Sequence, residues 1–536
     1  MKTLTLQFLL FFFTCGAFAQ ISLEHTYNNS AVARIKLEYS GEKYYELKRA
    51  TNELIFYNSD HTIWKTIVLP ATIPNSLIPS TEIINVSESK LNPDANIEVV
   101  FIYFNTLTNV KDCKIISENG TTLLAITNTI TAELSAISGL TDKLIANGLT
   151  ASKVYSVPEL ALENTYNYEN IKRIKLENSG EKYYLLDKTN NSAKIYNANH
   201  SLWKTVSLPK PTTATYLDID FVSETKINPD ALLEIGYSFS ETVNNVIIYS
   251  SKIVNENNVE LLTVPKSRKL VINSIDGLAD KLIAELLIDF SMYNTNVYNL
   301  PSLTLEKAYV GQVSRVVLDK SGEKYYTSYN PSNNQVKIYN SNHTLWKTID
   351  LSTGSFFMSN NITTVTSISE SKINQDALIE LIYSYNTGLL GEGSEVSSRI
   401  INEQGDILLD AEYVRSLYVN EILGLPNKII GDTGYFFQNS YVGRVYSIET
   451  LGITDFNTNS KVVIAPNPAK TFFNINTLIS PIIEAEIYNL NGVLVKREKS
   501  QNITKIDIEK LPTGIYIVNL TDSNNQKSTH KITISH

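Results

Sequence analysis

Lys194-Ile195-Tyr196-Asn197-Ala198-Asn199-His200-Ser201-Leu202-Trp203-Lys204-Thr205-Val206-Ser207-Leu208 alternates apolar and polar side chains on either side of a short polar turn. A period of two is the pattern of a half-buried strand, and an Asn- and Ser-rich break between two such runs predicts a hairpin. The hairpin recurs. Trp64, Trp203 and Trp346 are the only tryptophans, 139 and 143 residues apart, and His61, His200 and His343 each stand three residues before one of them.

Other blocks recur in the same order. Ser40-Gly41-Glu42-Lys43-Tyr44-Tyr45 returns as Ser179 to Tyr184 and as Ser321 to Tyr326. Ser-Glu-x-Lys-x-Asn-x-Asp-Ala spans Ser87 to Ala95, Ser223 to Ala231 and Ser369 to Ala377, followed by Glu98, Glu234 and Glu380. Gly-Leu-x-Asp/Asn-Lys begins at Gly139, Gly277 and Gly424, and Val-Tyr closes each unit at 154–155, 297–298 and 445–446. The chain therefore reads as three units, 22–160, 161–303 and 304–452, each about 140 residues long.

Each unit is rich in Tyr, Ile, Val and Thr, with Asn, Ser, Gly and Pro between the runs, and predicts about ten to twelve short strands. Ala231–Tyr237 and 252–255 are further strands, and the only helix-like stretches are short, such as 280–287. The fold class is all-β. Two architectures satisfy the pattern. One is a β-propeller in which each unit supplies two or three four-stranded blades, so that radial repetition protects the strand edges. The other is a row of β-sandwiches. Asn58-Ser59-Asp60-His61-Thr62-Ile63-Trp64 resembles the Asp-box hairpin of sialidase-type propellers, without that motif's glycine and with Asn199 and Asn342 in place of Asp60. The propeller is the favoured expectation.

The repeated His–Trp pairs are the candidate ligand-binding residues: His61, Trp64, His200, Trp203, His343 and Trp346. An imidazole near an indole suits sugar stacking and hydrogen bonding. The competing expectation is architectural, with Trp anchoring the hairpin and His capping its turn, because architecture repeats where a single active site does not. Asn92/Asp94, Asn228/Asp230 and Asn374/Asp376 offer oxygen atoms for a cation but read first as turns, since Asn and Asp bond their own backbone. The paired tyrosines are expected to face opposite sides of a strand. His-Glu-x-x-His, Gly-x-Ser-x-Gly, a P-loop and Cys-x-x-Cys do not occur. No cofactor, metal or catalytic residue is assigned. Two carboxylates at a suitable separation would be enough for a glycosidase, and that is the main enzymatic alternative.

Of 536 residues, 46 are Lys or Arg and 55 Asp or Glu, a net charge of −9 that offers no basic face for nucleic acid. Two cysteines exclude a disulfide scaffold. Residues 1–19 carry Lys2, an apolar run to Phe13 and Ala17-Phe18-Ala19, the layout of a signal peptide and too short for a membrane span of about 20 residues. Cleavage there removes Cys15 and leaves Cys113 alone, expected as a small core residue.

After Gly452 and a polar linker the pattern changes. Ala465-Pro466-Asn467-Pro468-Ala469, Tyr488-Asn489-Leu490-Asn491-Gly492 and Leu511-Pro512-Thr513-Gly514-Ile515-Tyr516 punctuate alternating strands. Asn-Gly between apolar runs is a strong hairpin signal, so a small antiparallel sandwich is expected. Residues 459–536 closely resemble the type A C-terminal sorting domain of the type IX secretion system of Bacteroidota, with Pro466, Asn467, Pro468, Gly492, Leu511, Gly514 and Tyr516 carrying the match. Ala465 stands where that family usually has Tyr. The resemblance implies export across both membranes, the type IX secretion machinery as partner, and release or attachment to surface lipopolysaccharide. It implies no activity for the cargo. The expected function is a secreted or cell-surface binding and adhesion module for a glycan or protein. The alternatives are a propeller-type polysaccharide hydrolase and a structural surface component.

Overall fold

The computed structural model describes residues 21–28, 30–70, 81–105, 108–289, 292–329, 334–351, 364–374, 376, 378–386, 396–434, 441–448, 462–477, 480–489, 492–523 and 527–535. The segment read as a signal peptide, the linker at 455–460, Gln375 and Ala377 lie outside them. The chain divides into two compact units, 20–449 and a second one carrying 450–536.

In the larger unit every described element is a strand or a connection between strands, and the strands form nine four-stranded antiparallel blades. Blades 1 to 3 are 32–68, 81–126 and 131–166. Blades 4 to 6 are 172–207, 214–265 and 267–310. Blades 7 and 8 are 312–350 and 364–411, joined edge to edge by one pair, Tyr329 with Thr364. Blade 9 is built from 416–448, and its fourth strand comes from the other end of the chain. Ile21–Asn28 pairs antiparallel with Tyr441–Ile448, placing Ile21 opposite Ile448 and Asn28 opposite Val442. Each sequence unit thus supplies twelve strands, but unit and blade are offset by one strand. Leu162–Tyr166 and Leu305–Val310 complete blades of the unit before their own, and Ile21–Asn28 does the same for the last. The offset closes the ring and covers the outward edge of Tyr441–Ile448 in blade 9.

The core is distributed around this ring. Nine apolar clusters each bridge two consecutive blades, and the ninth joins Ile430 and Val445 of blade 9 to Val32 and Tyr44 of blade 1. A blade therefore packs on both faces, which explains where the period of two fails. Glu98–Asn105 buries six residues in succession, whereas the outer strand Leu202–Ser207 buries only Val206 and leaves three residues exposed. Residues 281–287 of the stretch read as helix-like belong to the strand Lys281–Asp289, and 231–233 belong to the loop before Glu234–Val243.

The C-terminal unit is a two-layer sandwich. Val462–Ala465, Phe472–Thr477 and Lys505–Asp507 form one sheet. Leu494–Lys499, Ile482–Asn489, Gly514–Asp522 and Lys527–Ile534 form the other, in that order. Phe473, Ile475, Ile487, Val518 and Ile532 fill the space between them.

Candidate functional site

His61, His200 and His343 sit in the hairpins between the third and fourth strands of blades 1, 4 and 7. Their backbones are left-handed, with φ of 63°, 65° and 64°. The equivalent hairpins of blades 2, 5 and 8 place Gly120, Asn258 and Gly405 in that conformation, each with the same N–H bond back three residues. A left-handed histidine is costlier than glycine by about 1 kcal/mol, so its side chain must contribute something. It reaches back to the outer strand of the preceding blade. Nδ1 lies 2.7 Å from the Tyr27 hydroxyl, 2.7 Å from that of Tyr166 and 2.6 Å from that of Tyr309. Nε2 lies 3.5, 3.5 and 3.3 Å from Glu24, Glu163 and Glu306. Burial holds all three imidazoles below their ordinary pKa despite these carboxylates, so the pairs are contacts of neutral rings. At the closing joint His25 also stacks on His61, centroids 4.5 Å apart.

The tryptophans face the other way. Trp64, Trp203 and Trp346 are half-buried against the clusters shared with the next blade. Each has two ammonium groups near its ring: Lys43 and Lys65 at 4.7 Å, Lys182 at 4.8 Å and Lys204 at 4.4 Å, Lys324 at 4.7 Å and Lys347 at 4.5 Å. Lys65 and Lys347 then bridge to Glu118 (2.7 Å) and Glu403 (2.5 Å) of the following blade, and Lys204 pairs with Glu256. The six predicted binding residues are therefore placed in three hairpins, with each imidazole turned to one neighbouring blade and each indole to the other.

The Ser-Gly-Glu-Lys-Tyr-Tyr block works with them. Arg34, Arg173 and Arg315, fully or almost fully buried, donate Nε to Glu42, Glu181 and Glu323 at 2.7 Å. Their other nitrogens reach carbonyls of the preceding blade, as with Arg173 to Ser135 (2.8 Å) and Thr141 (2.7 Å). Tyr44 lies in the cluster with blade 9 and Tyr45 packs toward blade 2, on opposite faces as expected. Glu88, Glu224 and Glu370 accept two backbone N–H groups and a serine hydroxyl from the loop of the blade before. Burial would raise these carboxyls, but the donors outweigh it and hold them below the usual range. The arginine, eight residues before its glutamate in every unit, was a legible signal that the repeat blocks alone did not bring out.

Two features belong to the second repeat, 161–303. The hairpin Glu234–Val243/Val246–Asn255 has ten-residue strands, and its two-residue turn, Asn244-Asn245, is left-handed at both positions, the form a tight hairpin requires. Its tip exposes Val243, Val246 (51%), Ile247 (56%) and Ile248. On the same face, between blades 4 and 5, a cleft of about 360 Å³ is lined by Lys172, Tyr184, Lys188, Lys210, Tyr216 and Asp218 among others. The apolar run Val246-Ile247-Ile248 was the sequence signal for this face.

In the C-terminal unit Asn467 accepts from the Thr533 N–H (2.9 Å) and donates to the Lys531 carbonyl (3.1 Å), pinning the Pro-Asn-Pro segment to the last strand. Gly492 is the left-handed residue of its hairpin, Leu511 packs on the core, Gly514 starts the strand Gly514–Asp522, and Tyr516 donates to the Pro512 carbonyl at 2.8 Å. Pro466 and Pro468 follow cis peptide bonds.

No curated protein matches the chain. Among solved structures it is similar to the Dos1 propeller (8% identity, 80% of this chain and 96% of that one, TM-score 0.40). It is also similar to a eukaryotic initiation factor (10%, 86% and 97%, TM-score 0.42) and to BamB from Moraxella catarrhalis (10%, 80% and 99%, TM-score 0.34). Residues 463–535 match the family described as the secretion system C-terminal sorting domain. The chain thus carries, behind a propeller-like body, the domain that hands its cargo to the type IX secretion machinery for secretion or display at the cell surface.

Proposed function

We propose that the exported chain is a binding and adhesion module whose propeller engages a glycan on the face shared by the blade 5 hairpin and the cleft beside it. The carrying observation is the exposed tip, Val243, Val246, Ile247 and Ile248, beside a cleft that combines tyrosine rings with lysine and carboxylate groups. Apolar side chains grouped on an exposed projection favour a contact surface, and aromatic rings beside charged groups suit sugar faces and hydroxyls. The nine-blade ring supplies a rigid base for both. After export, the sorting domain is removed and the cargo is released or joined to surface lipopolysaccharide.

The test is a glycan array probed with the secreted chain, then with Tyr216→Ala and with Val246→Asn/Ile247→Asn. Binding that falls at least about tenfold in either variant supports the reading. Binding unaffected by both, or no glycan retained and no adhesion defect on gene deletion, removes it. Cleavage of the retained glycan would turn the reading to the hydrolase alternative.

A further inference from the structure

Glu98, Glu234 and Glu380 open the second strands of blades 2, 5 and 8, and all three are wholly closed to solvent. Neither carboxylate oxygen of any of them accepts a well-formed hydrogen bond, and the group that Glu98 and Glu234 each meet is a second carboxyl, Asp94 and Asp230. A buried carboxylate without a donor must lose its charge or gain a cation, because leaving it ionised and alone costs many kcal/mol.

The surroundings of the first two are negative. Asp94, Glu118 and Glu38 act on Glu98, and Asp230, Glu177 and Glu256 on Glu234. Lys65 and Lys204 pair with Glu118 and Glu256, the acidic neighbours of these glutamates, and not with Glu98 or Glu234. Burial, with the adjacent aspartate second, pushes both glutamates up to about 8. The third copy differs in the residue before its serine, among others. Lys320 stands where the other units have Tyr39 and Asn178. Its ammonium donates to the Asp376 carbonyl and pulls Glu380 toward its ionised form, against the burial and the Asp376 charge that push this carboxyl, too, up to about 8. In that unit the chain brings its own positive charge to the acidic pair.

We propose that the Asp94/Glu98 and Asp230/Glu234 pairs each bind a calcium-type divalent cation, and that Lys320 takes the cation's place at Asp376/Glu380. Two carboxylates balance a dication, and an all-oxygen set selects a hard ion. Among the described residues no three acidic, His or Cys side chains converge. The remaining oxygens would come from the Asn92 and Asn228 amides, carbonyls of the same loops, and water. So few charged ligands suit the weak class of extracellular sites, with Kd on the order of 10⁻⁴ to 10⁻³ M.

The experiment titrates calcium chloride into the chelator-treated full chain by calorimetry, with thermal unfolding in parallel. Two ions per chain and a rising unfolding midpoint are expected. Glu98→Gln and Glu234→Gln, close in shape to the native residue, should each remove one ion. Lys320→Asn should add a third. No uptake up to about 10 mM calcium, with a midpoint indifferent to calcium, would overturn the proposal and leave a proton shared between each Asp and Glu. Two ions still bound after both Gln substitutions, or a stoichiometry of two in Lys320→Asn, would overturn the assignment. If a Gln variant fails to fold, the wild-type titration and Lys320→Asn still decide it.

Discussion

His200 Nδ1 lies 2.7 Å from the Tyr166 hydroxyl, so that a strained turn in blade 4 holds the outermost strand of blade 3. The backbone of His200 would prefer glycine, while its ring is needed by Tyr166. Replacing it separates the two effects. His200→Ala keeps the strain and loses the bond, and should cost about 2–3 kcal/mol. His200→Gly loses the bond but relaxes the turn, and should cost about 1 kcal/mol less. Urea unfolding of the two variants checks the order. Equal losses would mean that the left-handed turn carries no strain, and a His200→Ala loss near zero would mean that the ring contributes nothing.

The same joint between Tyr27 and His61 closes the ring, since Tyr27 lies on the strand that enters blade 9 from the N-terminal side. Removing 21–28 should expose the edge of Tyr441–Ile448 and strip the cover from Ile430 and Val445. The expected outcome is a large drop in the unfolding midpoint with self-association, read by size-exclusion chromatography. A truncated chain that stays monomeric and equally stable would show that closure is unimportant.

Arg173 has no exposed side-chain surface and ties Glu181 to two carbonyls of blade 3. Arg173→Ala strands all three acceptors and should cost about 3 kcal/mol. Arg173→Lys retains the charge without the planar fork and should recover only part of that. Chemical denaturation measures both. Full recovery with Lys would reduce the clasp to charge alone.

Stability should depend on pH through two opposed sets of buried groups. With a chelator present, Glu98, Glu234 and Glu380 sit near 8 when folded against 4.5 otherwise, chiefly through burial. The folded state then holds more protons, so their contribution is complete below about 4.5 and is lost as pH rises through 8. The histidines act in the opposite sense. Their folded pKa values lie below 6.5, so stability falls as pH drops beneath that value. The unfolding midpoint should therefore decline between about pH 6.5 and 8, while below 6.5 the histidines offset the gain from the glutamates. A midpoint that climbs steadily from pH 6 to 8.5 would contradict the burial of the three glutamates.

Cys113 is fully enclosed between blades 2 and 3, and burial pushes its thiol up to about 12. Iodoacetamide at pH 8 should leave it unmodified in the folded chain and alkylate it in urea, as mass spectrometry would show. Rapid labelling without denaturant would place the thiol outside the core.

The sequence by itself determined the repeat, the all-β class and the export domain. Period-two alternation is legible in the sequence of outer strands such as Leu202–Ser207, where only Val206 is buried, and Gly492 and Pro466-Asn467-Pro468 act through local backbone geometry. Only the tertiary structure decided that three blades come from each unit and that the units are offset by one strand. It also separated each His from its Trp and faced them to different neighbours. Spacing along the chain fixes which residues share a strand. Which blade a side chain meets depends on ring closure, and ring closure is made by Ile21 pairing with Ile448 across the whole length of the propeller.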